Sequence, residues 1–521
     1  MVKQNAAFED NGAFPGRTQQ RGLGRVIGWI AAILVLGSIP LLPHLHPPAA
    51  GSVLKSARLA APAFLALGLL WDPVCRCIRK GKNPCEGVNG GLVWCAGYLM
   101  RLVQILRFPY WQMQHDVGYF DDPGGHAGYI RFLCREGCLP QFDVRTVWQF
   151  YHPPLHHALA ALWMRLMTAV GLRGDTLYES MQLLPFAYSC AALAVMGLIL
   201  RKIGLRGNIF AVVFGILVVH PSFLILAGSL NNDMLSILLM VTALYLTLKW
   251  DESPRLHTIL LLALAIGLGM STKLSAWMCA PAAAFVFLAA LLREKETAPL
   301  MRQYTAFGCV CVPLGLWWYA RNLVRWGVPV TYIPLLSADS AQYVGDLPVA
   351  KRLLDFSPAQ FSYIYDCYVM YGQAYNEYNP LVALMKTAVF DEFLNTDRFP
   401  AIAGAGEWLF WSDAALAALC LAAGVWALVG KHGTAHHRII LVMTYLIPLV
   451  SYFGFCLAYP HTCTQSIRYA TPVIYAGAAL AGLTLQHAKG RAAAILRFLT
   501  GAAAVLFMGC SVYVYTILLP R

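Results

Sequence analysis

The chain has 521 residues, of which 58% are hydrophobic and 12% charged, with a formal net charge of +13 at pH 7. Soluble proteins carry about 25% charged residues, so this composition excludes an ordinary soluble multidomain protein. Apolar runs near membrane-spanning length recur almost end to end, and without the alternation of barrel strands they read as helices.

From the N-terminus, spans are expected at 24–42, 57–75 and 88–108. The N-terminus is polar and no small-residue cleavage site follows the first apolar run, so that run reads as a span rather than a cleavable signal. A long loop follows to residue 180, then spans at 181–200, 208–226, 233–249, 256–272, 275–292 and 303–321. A second long loop runs to 408, and the last spans fall at 409–429, 438–458, 469–487 and 496–517. The expected fold is an all-α polytopic membrane protein with about 13 transmembrane helices and two long extracytoplasmic loops. Its parts are 1–108, 109–180, 181–321, 322–408 and 409–521.

Basic residues collect in alternate short connections. Arg17, Arg21 and Arg25 precede the first span; Arg76, Arg79, Lys80 and Lys82 follow the second. Arg201, Lys202, Arg206, Lys249, Arg255, Arg293, Lys295, Arg302, Lys431, Arg438, Lys489, Arg491 and Arg497 then fall on the same side. The opposite connections hold mainly Lys55, Lys273 and Arg468. Positive charge marks the cytoplasmic side, so the N-terminus is expected inside and the C-terminus outside. This distribution accounts for the net charge without nucleic acid as a partner. The segment PPLHHALAALWMRLMTAVG (153–171) is apolar enough to span, but counting it would put the later basic clusters outside. It reads as an amphipathic helix on the outer surface, with His156, His157 and Arg165 toward its polar side.

The fifteen cysteines form no C-x2-C pair, which excludes zinc-ribbon spacing. Most lie within spans as small apolar residues. Cys134 and Cys138 sit four apart, where a disulfide is geometrically awkward.

The unusual polar residues gather at the outer rim. They fall in FDDPGGHAGYI (120–130), YHPPL (151–155), SLNND (229–233), STK (271–273), WYARN (318–322) and QSIRY (465–469). Ionisable groups at membrane boundaries are functional candidates. A transporter would place its site near the midplane; a cluster on one rim suits an enzyme with a lipid-embedded substrate. Asp122 before Pro123 also fits a helix cap. Asn231, Asn232 and Asp233 also fit a turn and cap, Lys273 and Arg468 also fit interfacial snorkelling, and Arg321 and Asn322 fit helix-end anchors. The tyrosine-rich second loop suits sugar or interfacial lipid.

FDDPGGHAGYIRFL, YHPPLHH, SLNNDML, STKLSAW, WWYARNLVRWGVP and QSIRYATP, in that order, resemble the motifs of GT-C membrane glycosyltransferases. The polyprenyl-phosphate-sugar-dependent members are most similar, alongside protein O-mannosyltransferases and aminoarabinose lipid A transferases. The resemblance covers residues 90–485. It implies transfer of one sugar, with inversion, from a polyprenyl-phosphate donor to a hydroxyl of a glycan, lipid or protein acceptor outside the cytoplasm. By that match Asp121 is the base or positions the acceptor, with Asp122 beside it; the family's pair is usually Asp-Glu. His126, one turn on, faces the same site. The stretch YHPPL has His152 where lipid A transferases carry a phosphate-contacting lysine, so the leaving phosphate is expected to rely on Lys273 and Arg468, with Asn232 and Asp233 nearby. Asp121, Asp122, His126 and His152 could offer oxygen and nitrogen ligands to a divalent cation, but no metal or other cofactor is expected to be required. The expected home is a bacterial inner membrane, with endoplasmic reticulum as the alternative. The rival functions are a polyprenyl-lipid or sugar transporter and a non-catalytic membrane protein sharing the fold.

Overall fold

A computed structural model of the chain describes residues 36–78, 87–362, 364–365 and 377–519. Most of the expected first span lies outside the described residues, as do Arg17, Arg21, Arg25, Arg79, Lys80 and Lys82. Among the described residues there is no strand, only one isolated antiparallel bridge between Tyr343 and His461.

The helices are α1 (Leu36–Leu45), α2 (Ala50–Ile78) and α3 (Val88–Arg107), then α4 (Gly125–Glu136), α5 (Leu155–Ala169) and α6 (Gly174–Ser180) in the first long loop. The central bundle holds α7 (Leu183–Lys202), α8 (Gly207–Val219), α9 (Pro221–Ile225), α10 (Asp233–Glu252), α11 (Leu256–Met270), α12 (Ala280–Arg293) and α13 (Ala298–Trp326). The second long loop carries α14 (Val349–Leu354) and α15 (Pro380–Phe390), and α16 (Ala403–Val429), α17 (Ala435–Ala458), α18 (Pro472–His487) and α19 (Arg491–Val512) close the chain.

Seven described helical runs are long and apolar enough to cross a membrane, eight if the bent pair Gly207–Val219 and Pro221–Gly228 counts as one. The chain is therefore an integral membrane protein. The other expected spans are met by helices that are shorter or less apolar: α11 has 15 residues and α18 has 16. At 1.5 Å per residue, each is shorter than the hydrocarbon layer. The second span begins earlier than expected, with Lys55 and Arg58 inside α2. Arg58 and Arg107 donate to the carbonyls of Tyr515, Thr516 and Ile517. They satisfy acceptors in the π-helical turn Tyr513–Leu518 that follows α19, which gives α2 and α3 a structural role.

The first long loop has its own core, built from Phe120, Tyr129, Phe150, Met164 and Trp318. Helix α5 forms where the amphipathic helix was expected and Arg165 is exposed, but the two histidines turn inward. His156 and His157 are buried, while Leu159, Leu162 and Leu166 are exposed. The imidazoles find partners inside the protein, and the leucines form the apolar outer face that an interfacial helix presents to lipid. Cys134 and Cys138 are free thiols.

Candidate active site

Alternate helices reverse direction, so their ends sort into two groups. Asp233 opens α10, the turn 271–273 follows α11, Asn322 closes α13 and Arg468 precedes α18. These ends meet around one cavity of about 380 Å³. Lys249, Arg255, Arg302 and Lys489 lie at the opposite ends of these four helices, and Arg293 and Arg438 at the C-terminal end of α12 and the N-terminal end of α17.

The cavity is lined by Asp116, His126, His152, Asn232, Asp233, Lys273 and Arg468, with Tyr151, Tyr319, Asn322, Phe455 and Tyr469 among its other walls. Six of the expected site residues are therefore brought together. Asp121 and Asp122 are not among them. Residues 119–122 form a tight turn, with Asp122 N–H donating to the Tyr119 carbonyl at 3.1 Å. That turn leaves the Asp121 side chain 79% exposed, 3.3 Å from Arg131. Nor does Asp122 cap the next helix: α4 starts at Gly125, its N-cap is Gly124, and no side chain caps it.

The acidic side chain that reaches the cavity from this loop is Asp116, five positions before Asp121 and without a neighbouring acid to mark it. Its Oδ2 lies 2.9 Å from Nη1 of Arg468. The glycines explain how the loop doubles back. Gly125 has φ +78°, and a Cβ there would sit 2.4 Å from the Val117 carbonyl oxygen. The close approach lets the His126 and Ala127 N–H groups donate to the Asp116 and Val117 carbonyls at 3.1 and 2.9 Å. The turn thus delivers His126 into the cavity and turns the Asp121 tip out.

On the opposite wall, Lys273 forms an ion pair with Asp233. Asn231 makes the local turn, accepting from Asp233 N–H at 3.0 Å and donating to Asp233 Oδ2 at 2.9 Å. Asn232 donates to the Thr272 carbonyl at 2.8 Å, tying the two turns together. The turn reading of SLNND thus applies to Asn231, whereas Asn232 stands at the N-cap of α10 with no side-chain cap hydrogen bond. Arg468 Nη1 is also 3.9 Å from Asp233 Oδ2, and Nη2 donates to the Tyr469 hydroxyl at 2.7 Å. Its Nε is buried with no hydrogen-bond partner among the described residues.

Burial holds His126 well below its ordinary pKa, helped by His152 and by the Lys273 and Arg468 charges. Burial, then Lys273, does the same to His152. Both rings are neutral at pH 7, so His152 can donate a hydrogen bond but does not supply the charge of a lysine. His126 Nδ1 is 2.8 Å from His157 Nε2, so one ring donates to the other. Arg321, read as an anchor, donates to the Pro140 carbonyl and lies over Trp318 and Trp326. Asn322, read the same way, lines the cavity.

Next to Asp116 lies a cluster with no local sequence signature. His115 Nε2 is 2.7 Å from Asp391 Oδ1 and Nδ1 is 2.5 Å from Glu392 Oε1. Burial opposes charge on His115, but Asp391 and Glu392 outweigh burial and Arg468 and push its pKa up to about 10. Among the described residues, no group of three or more His, Cys, Asp or Glu side chains is arranged to hold a metal ion.

No protein-family model matches the chain, and no curated protein matches it in sequence. Among solved structures it is similar to ArnT from Cupriavidus metallidurans in the apo state, with 16% identity, 76% of each chain covered and a TM-score of 0.35. It is also similar to the same protein bound to undecaprenyl phosphate, with 17% identity, 76% of each chain covered and a TM-score of 0.34. Both likenesses are remote.

Proposed function

We propose that the chain is an inverting glycosyltransferase of the GT-C type, using a polyprenyl-phosphate sugar at the extracytoplasmic face of a bacterial inner membrane. One observation carries the reading: Arg468 and Lys273 face one cavity at the rim of the bundle, each beside a carboxylate. Two cations at one cavity suit a lipid phosphate, which must gain charge as it leaves. The apolar walls formed by Trp277, Met278 and Phe455 suit the chain attached to it.

In this reading Asp116 takes the role that the motif match gives to Asp121. It removes the proton of the acceptor hydroxyl as the acceptor oxygen bonds to the anomeric carbon. The bond from that carbon to the phosphate oxygen breaks, and its electron pair leaves with the polyprenyl phosphate. Arg468 and Lys273 stabilise the departing charge. His152, Asn232 and the His126 ring offer neutral hydrogen-bonding groups to sugar or phosphate. No cofactor is needed for these steps.

The test is transfer from radiolabelled polyprenyl-phosphate sugars to membrane extracts by purified protein in lipid nanodiscs. Label should reach an acceptor with the wild type and fall by at least about 100-fold in Arg468→Ala and Lys273→Ala. Undiminished transfer by both folded variants would remove the phosphate role from this cavity.

A further inference from the structure

We infer that His115 and α15 act as a positioning device for the Asp116–Arg468 pair, an assignment that rests on reading Asp116 as the base. The geometry starts at His115, whose side chain is 2% exposed and meets a carboxylate oxygen at each ring nitrogen. Ionised carboxylates only accept hydrogen bonds, so both nitrogens donate and the ring is an imidazolium. The Asp391 carboxylate is itself fixed. Asp391 sits at the C-terminal end of α15 with φ +52°, and its Oδ1 also accepts from the Glu392 N–H at 2.8 Å.

The residue after His115 is Asp116, with φ +58°. Non-glycine residues seldom adopt this left-handed conformation, and it persists where the surroundings impose it. Here it is held on one side by the His115 clamp and on the other by the His126 N–H on its carbonyl.

The same helix holds the other member of the pair. Thr387, one turn before Asp391 on α15, accepts from the Ile467 N–H at 3.0 Å through its hydroxyl. Ile467 immediately precedes Arg468. One helix of 11 residues therefore grips the chain next to Asp116 and next to Arg468, two residues 352 positions apart. None of His115, Thr387, Asp391 and Glu392 lines the cavity, so they act through Asp116 and Arg468 and do not touch substrate. The second long loop thereby sets the position of the base carried by the first.

The test uses the full chain in nanodiscs, with His115→Gln and Glu392→Gln. Glutamine at 115 would turn an acceptor oxygen toward one of the two carboxylates. Its kcat should fall about 100-fold, the scale of a 1 Å misplacement, while the donor KM stays unchanged. Added to Asp116→Asn, His115→Gln should cost nothing further. Hydrogen exchange gives a readout free of turnover: the His126 and Ala127 amides, bonded to the 116–117 backbone, should exchange faster in His115→Gln. Unchanged kcat, or a loss that multiplies with Asp116→Asn, would overturn the inference. If His115→Gln does not fold, Glu392→Gln, on the more exposed partner, decides by the same two readouts. If wild-type protein transfers no sugar, the base reading falls, and unchanged exchange at His126 and Ala127 then overturns the positioning role on its own.

Discussion

Asp116 and Arg468 lie 2.9 Å apart across 352 positions of sequence. His115 adds a pH signature. Its pKa in the fold, about 10, lies above the ordinary 6.5. The stabilisation from its charged form is therefore complete below about 6.5 and is lost as pH rises through about 10. Thermal unfolding in detergent should show a midpoint that falls across this window, with a flatter profile in His115→Gln. The groups that set the window are Asp391, Glu392 and Arg468. None of this was legible locally. Asp121 and Asp122 advertise themselves as adjacent acids before a proline, whereas Asp116 stands alone in QHDVG (114–118) and DE (391–392) lies in a loop read only for its tyrosines. What distinguishes Asp116 is a partner brought by the fold, which no sequence window contains.

The break between α8 and α9 shows how an element can carry an interruption inside the bundle. Pro221 has no N–H to donate, and the chain bends by 54°. Without water, the carbonyls released there need protein donors. Arg101 Nη1 reaches the Val218 carbonyl at 2.9 Å, and the Ser511 hydroxyl reaches the Val219 carbonyl at 2.6 Å. Arg101 also donates to Ser189 Oγ at 2.7 Å. Arg101→Leu should destabilise the protein by about 1–3 kcal/mol, the cost of leaving a buried acceptor unpaired, measured by thermal or denaturant unfolding with donor KM unchanged. An unaltered midpoint would mean that the break is satisfied in another way. The run 208–226 is continuous in hydropathy, so the sequence gives no sign of the bend beyond Pro221. Its satisfaction by Arg101, on a helix 117 positions earlier, is a long-range fact.

At the scale of the molecule, charge and site divide the bundle between its two ends. The cavity sits where α10 and α18 begin and α11, α13 and α17 end, while the basic clusters sit at the reverse ends. In the proposed orientation, with the basic side cytoplasmic, the cavity would face outward. A cysteine at Asp121 should react with a membrane-impermeant maleimide on intact cells, and one at Lys295 only after permeabilisation, each read peptide by peptide. The opposite pattern would invert the topology. The helical layout was largely legible, because spacing of apolar runs and of Lys and Arg follows from burial in lipid. Six cavity residues were legible because polar groups at helix ends are few and their cost is high. The choice of carboxylate was not, since it depends on how PGG (123–125) folds its loop. The most direct measurement is therefore sugar transfer by Asp116→Asn beside Asp121→Asn, both folded and in the same lipid. The account predicts loss of transfer in Asp116→Asn and near-normal transfer in Asp121→Asn. Loss in Asp121→Asn with activity kept in Asp116→Asn would contradict it.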